Sequence, residues 1–515
     1  MPGSYVLAID QGTTSTRAAV VDSRGRVVAW SRREHSQIYP RPSWVEHDAL
    51  EIWSNVKAVM REAVAKSGID PAELRAVGIA NQRETVVVWD PSTGKPLLNA
   101  IVWQDRRASP IVDELAANYG DEVRRRTGLI PDPYFTGPKV MWMLDNVPGL
   151  RGRAERGEAL FGTVDSWITW NLTRGGSELV NERGGGSHVT DYSNASRTML
   201  FNIHRLEWDG ELLQLMGSPP LHSLPLPMPS GAIFGFTGPE ASELLGRPVP
   251  VAAALGDQQA ALLGQACMER GCAKATYGTG TFILMNTGGD IIESRHGLIS
   301  TVFYSTRPGS AAYALEGSMF AGGAAIQWLM DIGAAKSPSQ VEELARQVSD
   351  NGGVYLVPAF AGLGAPYWDR YARGLLIGLT RSSDSRYLAR AVLESIAYMA
   401  RDVLESLMED SGAALGELRV DGGASSSDFL MQLQADVAGI DLLRPVNVET
   451  TSLGAAYLAG VAVGEWSLDD VASMWSLDKR FKSAMPREER DRLYGAWRDA
   501  VARAAGWARR VPWAA

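Results

Sequence analysis

A strand that turns sharply on glycine and threonine and runs straight back as a second strand occurs twice in this chain of 515 residues. The first copy is Tyr5-Val6-Leu7-Ala8-Ile9 followed by the turn Asp10-Gln11-Gly12-Thr13-Thr14. Arg17 to Val21 and Val27 to Trp30 continue that sheet past a second turn, Asp22-Ser23-Arg24-Gly25. The second copy is Ala273 to Tyr277, Gly278-Thr279-Gly280-Thr281 and the apolar run Phe282 to Met285. The chain is too long for one hydrophobic core. The repeated pattern therefore divides it into two comparable α/β halves, residues 1–260 and 261–515. Ala252 to Leu255 is then a connecting strand and Asp257-Gln258-Gln259 the hinge region.

Between these landmarks strands and helices alternate, which sets the α/β class. A helix is expected from Asp48, with Glu51 as capping-box partner and Ile52, Val56, Val59 and Met60 at helical spacing. Val77 to Ala80 and Thr85 to Trp89 read as strands flanking Asn81-Gln82-Arg83-Glu84. Leu418-Arg419-Val420 leads into Asp421-Gly422-Gly423-Ala424-Ser425 and then a helix carrying Phe429, Leu430 and Leu433. Long helices are expected over roughly 384–410 and 488–508, and surface loops over the Gly-rich 174–188 and the Pro-rich 218–229.

Composition removes several function classes. A net charge of −9 argues against nucleic acid as a partner, since duplex binding rests on many Lys and Arg contacts to phosphate. No stretch reaches the roughly 18 uninterrupted apolar residues of a membrane span. Met1 to Ala8 runs into a strand without a secretory leader, so a cytoplasmic location is expected. Two cysteines, Cys267 and Cys272, suit a reducing compartment, exclude a disulfide framework and have no neighbouring Cys/His cluster for metal binding.

For nucleotide binding, the chain has neither a Walker loop nor a dinucleotide fingerprint: Gly94-Lys95 is followed by Pro96. It has the two turns instead. Glycines at Gly12-Thr13-Thr14 and Gly278-Thr279-Gly280 let the backbone approach phosphate oxygens, and threonine hydroxyls add donors. Arg17, on the same strand face as Ser15, is placed for a charge-assisted bond to phosphate, and Asp10 for Mg²⁺ held through water. Either turn alone reads as an ordinary β-turn. Together with Asp421-Gly422-Gly423 at a helix start they form a cradle for adenosine phosphates.

On the acceptor side, Arg83 and Glu84 offer a donor and an acceptor to a short polyol, although alone the pair reads as a surface ion pair. Asp257, at the domain junction, is placed to take a proton from an attacking hydroxyl; its plainer role is a helix N-cap. Trp103, Tyr134 and Phe282 are candidates for an apolar wall, where most aromatics merely pack in cores.

Taken in order, these segments resemble the glycerol kinases, within the carbohydrate kinases that share an ATPase core with actin and the Hsp70 chaperones. The matching stretches include Ala8-Ile-Asp-Gln-Gly-Thr-Thr-Ser-Thr-Arg17, Trp44-Val-Glu-His-Asp48, Asn81-Gln-Arg-Glu-Thr85 and Ile101-Val-Trp-Gln104. They continue through Asp132-Pro-Tyr-Phe135, Asp191-Tyr-Ser-Asn-Ala-Ser-Arg197, Gly256-Asp-Gln-Gln259, Tyr277-Gly-Thr-Gly280, Gly362-Leu-Gly-Ala-Pro-Tyr-Trp-Asp369 and Val420-Asp-Gly-Gly423. The resemblance implies two ribonuclease-H-like domains of the actin/Hsp70-type ATPase fold, with ATP and substrate in the cleft between them. It implies Asp257 as base on the primary hydroxyl of glycerol, and Arg83, Glu84, Tyr134 and Gln258 as ligands of its hydroxyls, with Trp103 and Phe282 against its carbons. Asp10, Thr13, Thr14, Ser15 and Arg17 correspond to the first phosphate and Mg²⁺ cluster and Thr279 to the second. Gly323, Gln327, Gly423 and Ser427 correspond to nucleotide contacts, Ser427 replacing an asparagine of some members. Residues 228–251 lack the Gly-Lys-Gly-Gly-Thr-Arg loop and the histidine through which some members are regulated. A homo-oligomer, dimer or tetramer, is the family's habit. The competing readings are a kinase of the same fold acting on a ketopentose or another polyol, and an ATPase that works by domain motion.

Overall fold

In the computed structural model, residues 3–176, 185–217 and 219–510 are described. Tyr5–Gln11 (β1), Ser15–Asp22 (β2) and Val27–Glu34 (β3) form an antiparallel meander closed by the two turns read from sequence. Leu74–Asn81 (β4) adds parallel to β1, and Pro250–Gly256 (β5) adds parallel to β4. The short strand Gly235–Phe236 closes the edge. β1 and β4 are almost wholly buried because helices cover both faces of the sheet, so they read as continuous apolar runs and not as alternating ones.

The second sheet repeats this plan. Ala273–Tyr277 (β6) and Thr281–Gly288 (β7) form the second hairpin, and Ile299–Arg307 (β8) and Ser310–Met319 (β9) extend it on the β7 side. Glu417–Asp421 (β10) lies parallel to β6, Asp441–Pro445 (β11) parallel to β10, and Leu477–Phe481 (β12) antiparallel at the edge. The orders β3-β2-β1-β4-β5 and β9-β7-β6-β10-β11 superpose strand for strand in direction. Three antiparallel strands followed by two parallel ones is the ribonuclease-H-like topology that the resemblance implied. In each sheet the glycine-threonine tip therefore projects beside the end of a parallel strand.

The helices follow from caps and apolar spacing. Ala49–Ser67 (α1) is capped by Asp48, whose carboxylate accepts the Leu50 and Glu51 amides, and it ends at Gly68 with φ 65°. The expected capping box is not made: the Glu51 carboxylate accepts the Ser36 amide at 3.2 Å instead. Ile52, Val56, Val59 and Met60 are fully buried against the first sheet, each such side chain contributing about 1.5–3 kcal/mol. Ser385–Ser411 (α3) is capped by Asp384 and stopped at Gly412. The last long helix is divided: Arg487–Ala504 ends before Gly506, φ 63°, and Trp507–Arg510 forms a separate turn.

Asp257–Gly264 (α2) and Thr450–Ala462 (α5) cross the halves, with Asp428–Ala438 (α4) lying between α3 and α5 in sequence. α5, from late in the chain, packs on β1, β4 and β5 of the first sheet and against α2, while α2 also touches β6 and β7. A boundary near residue 260 separates the strands of the two sheets but not their helices. This contact is as close as backbones allow: a Cβ at Gly454 would collide with the Ala260 carbonyl, and one at Gly264 with the Thr450 carbonyl.

Two loop assignments need correction. Within the Pro-rich stretch, Leu226–Met228 forms a strand parallel to Val189–Asp191. Residues 177–184 and Ser218 lie outside the described residues, and at the end of the Gly-rich stretch Ser187 and His188 are buried. Cys267 and Cys272 are joined by a disulfide, where a reducing setting was expected, with Cα atoms 5.1 Å apart across the turn from α2 into β6. It is one local bridge and not a framework.

Candidate active site

The two hairpin tips face each other across a cavity of about 160 Å³ lined by Thr13, Thr14, Arg83, Glu84, Trp103, Tyr134, Asp257, Gln258, Thr276, Gly278, Thr279, Gly280 and Phe282. All seven residues expected at the acceptor site are in it, drawn from both halves of the chain. The first tip is closed by the Gly12 amide on the Ser15 carbonyl at 2.9 Å, and the second by the Gly278 amide on the Gly280 carbonyl at 3.0 Å. Trp103 Nε1 donates to Thr13 Oγ1 at 2.9 Å, tying the acceptor pocket to the first tip.

Arg83 and Glu84 leave the end of β4 in a tight turn. Glu84 has φ 61°, and the Thr85 amide donates to the Arg83 carbonyl at 2.7 Å. A non-glycine residue held there costs on the order of 1–3 kcal/mol, a strain that concentrates at functional sites. The surface ion-pair reading fails, because both side chains are only 1% exposed. Arg83 gives its Nη1 and Nη2 to the Glu316 carboxylate at 2.5 and 3.0 Å, and its Nε stands 3.2 Å from Asp257 Oδ1. Arg197 Nε donates to Glu84 at 2.6 Å and its Nη2 to Glu316 at 3.1 Å. Two buried cations thus balance two buried carboxylates, an arrangement that tolerates burial only because every charge is bonded. Trp103 meets Tyr134 and Phe282 edge to face, with ring centroids 5.7 and 6.2 Å apart, as the apolar wall.

Asp257 opens α2, and its Oδ1 accepts the Gln258 amide at 2.7 Å, so it occupies the first helical turn as well as the cleft. Its side chain is 25% exposed, far more open than Arg83 or Glu84. Burial pushes its carboxyl up, and Arg83 and Lys274 pull it back. Gln258 Oε1 accepts from Lys274 Nζ at 2.5 Å, and Lys274 also donates to Thr276 at 2.7 Å. Thr276 in turn donates to Asp421 at 2.5 Å, which links the acceptor pocket to the Asp421-Gly422-Gly423 segment. Burial lowers Lys274 to about 8.

The expected nucleotide residues are more dispersed. Asp10 is the last residue but one of β1, its carboxyl pushed up to about 6 by burial and partly opposed by Arg17. Arg17 is ion-paired with Glu449, and Ser15 accepts from Arg32 at 3.0 Å. Gly323 starts the helix Gly323–Asp331, and its amide donates to the Gly278 carbonyl at 2.8 Å, supporting the second tip. Gln327 on that helix is exposed and bonds Asp331. Gly423 opens a short 3₁₀ turn after Gly422, φ 85°, and Ser427 caps α4 while donating to Glu342 at 2.5 Å. None of Gly323, Gln327, Gly423 or Ser427 lines the acceptor cavity. Among the described residues, no group of three or more His, Cys, Asp or Glu is arranged to hold a metal ion. No helix among them is long and apolar enough to cross a membrane.

Four residues escaped the sequence analysis: Lys139, Arg197, Lys274 and Glu316. Lys139 is fully buried beneath the pocket, its Nζ donating to the carbonyls of Tyr134, of Phe135 at 3.0 Å and of Glu84 at 3.4 Å. Arg197 ends the quoted Asp191 to Arg197 stretch, so its position was visible though its partner was not.

Residues 5–264 match the model of the FGGY family of carbohydrate kinases, N-terminal domain, and residues 273–463 that family's C-terminal domain. The chain is 54% identical to glycerol kinase 2 of Thermotoga maritima over 98% of its own length and 100% of that protein's. It is 52% identical to the glycerol kinase of Deinococcus radiodurans, covering 98% of each. Among solved structures it matches Plasmodium falciparum glycerol kinase with ADP at a TM-score of 0.86 and 35% identity, over 98% of both chains. A xylulose kinase from Lactobacillus acidophilus matches at 0.83 and 23% identity, covering 98% and 99%, a likeness of fold alone.

Proposed function

The chain belongs to the FGGY family of carbohydrate kinases, and we propose that it transfers the γ-phosphoryl group of ATP to glycerol, giving glycerol 3-phosphate and ADP. The observation that carries this is the cavity itself: a small, aromatic-walled pocket floored by the Arg83–Glu84–Arg197–Glu316 charge network, with one more open carboxylate, Asp257, at its mouth between two phosphate-type tips. The near-full-length identity to glycerol kinases supports glycerol over a ketopentose.

Arg83, Glu84, Tyr134 and Gln258 bind the hydroxyls, and the rings of Trp103 and Phe282 cover the carbons. Asp257 accepts the proton of the attacking hydroxyl. That transfer comes late in a loose transition state, so the base need not be strong. The tips at Thr13-Thr14 and Thr279 hold the phosphates in line, with hydroxyl oxygen and phosphorus about 3–3.5 Å apart at the start of transfer. Gly323, Gln327, Gly423 and Ser427 hold the nucleoside, and Arg17 and Ser15 stand behind the first tip. Asp10 fits Mg²⁺: it is a single buried carboxylate on β1 two residues before the Gly12-Thr13-Thr14 tip, and Mg²⁺ takes few protein ligands and keeps several waters. When bound, that ion neutralises charge on the phosphoryl oxygens. A cytoplasmic homo-oligomer is part of the same proposal and rests on the resemblance.

The test is ADP release with Mg-ATP alone and with glycerol, xylulose or ribulose. Release that requires glycerol supports the reading. Release specific to a ketopentose overturns the substrate, and release indifferent to every polyol moves the protein to the motion-coupled ATPases.

A further inference from the structure

Resting on that reading, we propose that Glu316 is a positioning residue which limits the Arg83 guanidinium to a single-nitrogen contact with Asp257 and so leaves Asp257 free to act as base. Glu316 projects from β9 of the second sheet to a place behind Arg83 and outside the cavity lining, and its side chain is completely buried. Four donors converge on its two oxygens. Oε2 accepts Arg83 Nη1 at 2.5 Å, and Oε1 accepts Arg83 Nη2 at 3.0 Å, Arg197 Nη2 at 3.1 Å and the Ser318 hydroxyl at 2.6 Å.

A guanidinium is a rigid planar fork, so committing one edge fixes the direction of the others. With both Nη atoms on Glu316, Arg83 presents only Nε to Asp257, at 3.2 Å from Oδ1. A small rotation would let Arg83 grip Asp257 through two nitrogens. A bidentate cation on a carboxylate is the strongest form of that pair and lowers its basicity. Glu316 and Asp257 therefore compete for one guanidinium, and the geometry shows Glu316 holding the larger share.

Charge balance points the same way. Asp257 is faced by Arg83, Lys274 and Asp10. Glu316 is faced by Arg83, Arg197 and Ser318, with Lys274, Glu84 and Tyr134 in the same field. Removing the Glu316 charge would leave Arg83 and Arg197 with Glu84 as their remaining partner in the network, and Asp257 becomes the nearest uncommitted anion for Arg83. Because Glu316 belongs to the second sheet and Arg83 to the first half, the constraint also ties the polyol pocket to the relative placement of the two sheets.

The experiment compares wild type with Glu316→Gln and Glu316→Asp, measuring ADP affinity by direct titration and kcat/KM for glycerol across pH. Glu316→Gln is expected to bind ADP as wild type does while kcat/KM for glycerol falls about 10²-fold, the scale of a 1 Å misplacement. Its acid limb should move to lower pH by roughly one unit, as a closer cation on Asp257 dictates. Glu316→Asp, which keeps the charge, is expected to lose activity without moving that limb. A Gln variant with wild-type kcat/KM and an unmoved limb overturns the proposal, as does parallel loss of ADP binding and activity. If the Gln variant does not fold, the Asp variant decides: a limb displaced to lower pH there, or ADP binding lost with activity, overturns it, and intact ADP binding with an unmoved limb upholds it. Absence of glycerol-dependent turnover in the wild type would instead remove the functional reading itself.

Discussion

Lys274 Nζ, buried on the second sheet, lies 2.5 Å from the Oε1 of Gln258 on the first-half helix α2. A charged donor thereby sets the orientation of a side chain that the proposed reaction uses to hold glycerol. It leaves the Gln258 side-chain nitrogen, Nε2, directed away from Lys274 as a donor. Hydrogen bonds to charged groups are worth about 1.5–3 kcal/mol. Lys274→Met is therefore expected to raise the KM for glycerol about tenfold or more and to lower the melting temperature, because Asp421 loses an opposing charge. Steady-state kinetics and a thermal melt check both.

The pH dependence of glycerol phosphorylation follows from Asp257. Burial is the largest influence on its carboxyl and raises it. The base must be ionised to accept a proton, so kcat/KM should fall on acidification through a limb above the ordinary aspartate range, and not at it. A pH–rate profile with an acid limb at or below about 3.9, the unperturbed aspartate value, would exclude this assignment.

Stability should carry its own pH signature. Asp165 is fully buried beside Asp191 and is pushed up to about 7 by burial and by that like charge. A carboxyl raised in the folded state stabilises below its unfolded value, and that contribution is lost as pH rises towards 7. Thr163 donates to Asp165 Oδ1 at 2.5 Å, while Thr190 and the Asp191 amide serve Oδ2. The Thr163 hydroxyl can accept as well as donate, so Asp165→Asn keeps every bond. The variant is expected to melt above wild type by a margin that widens from pH 5 to pH 7 and levels off beyond it.

The close crossing of α2 and α5 predicts a steric effect far in sequence from the chemistry. A Cβ at Gly454 meets backbone, the Ala260 carbonyl, which cannot rotate away. Gly454→Ala is expected to destabilise by about 1–3 kcal/mol, the usual cost of overpacking. Because α2 begins at Asp257, kcat should drop with it. Denaturant unfolding and turnover on the same preparation check this.

The hairpins were legible in the sequence because their signals are local. Glycine and threonine between two apolar runs specify a turn whatever lies around it, and both tips formed at the expected residues. The caps at Asp48 and Asp384 were equally local. The capping box at Glu51 does not form because a backbone amide in the loop after β3, Ser36, offers its carboxylate a partner outside the helix. Arg83 looked like half of a surface pair because its true partner, Glu316, is 233 residues away. Lys274 and Lys139 were passed over for a similar reason: a lysine in a strand or helix carries no mark of burial until the elements around it are placed. The exchange of α5 onto the first sheet lay beyond any boundary drawn along the chain.

The most direct test of the whole account is ADP release by wild type and by Asp257→Ala, each with Mg-ATP in the presence and absence of glycerol. Wild-type release that depends on glycerol, with loss of that dependent release in the variant while ADP still binds, is the predicted result. Glycerol-dependent release that survives in Asp257→Ala would contradict the account, because the carboxylate around which the site is built would then not be the base.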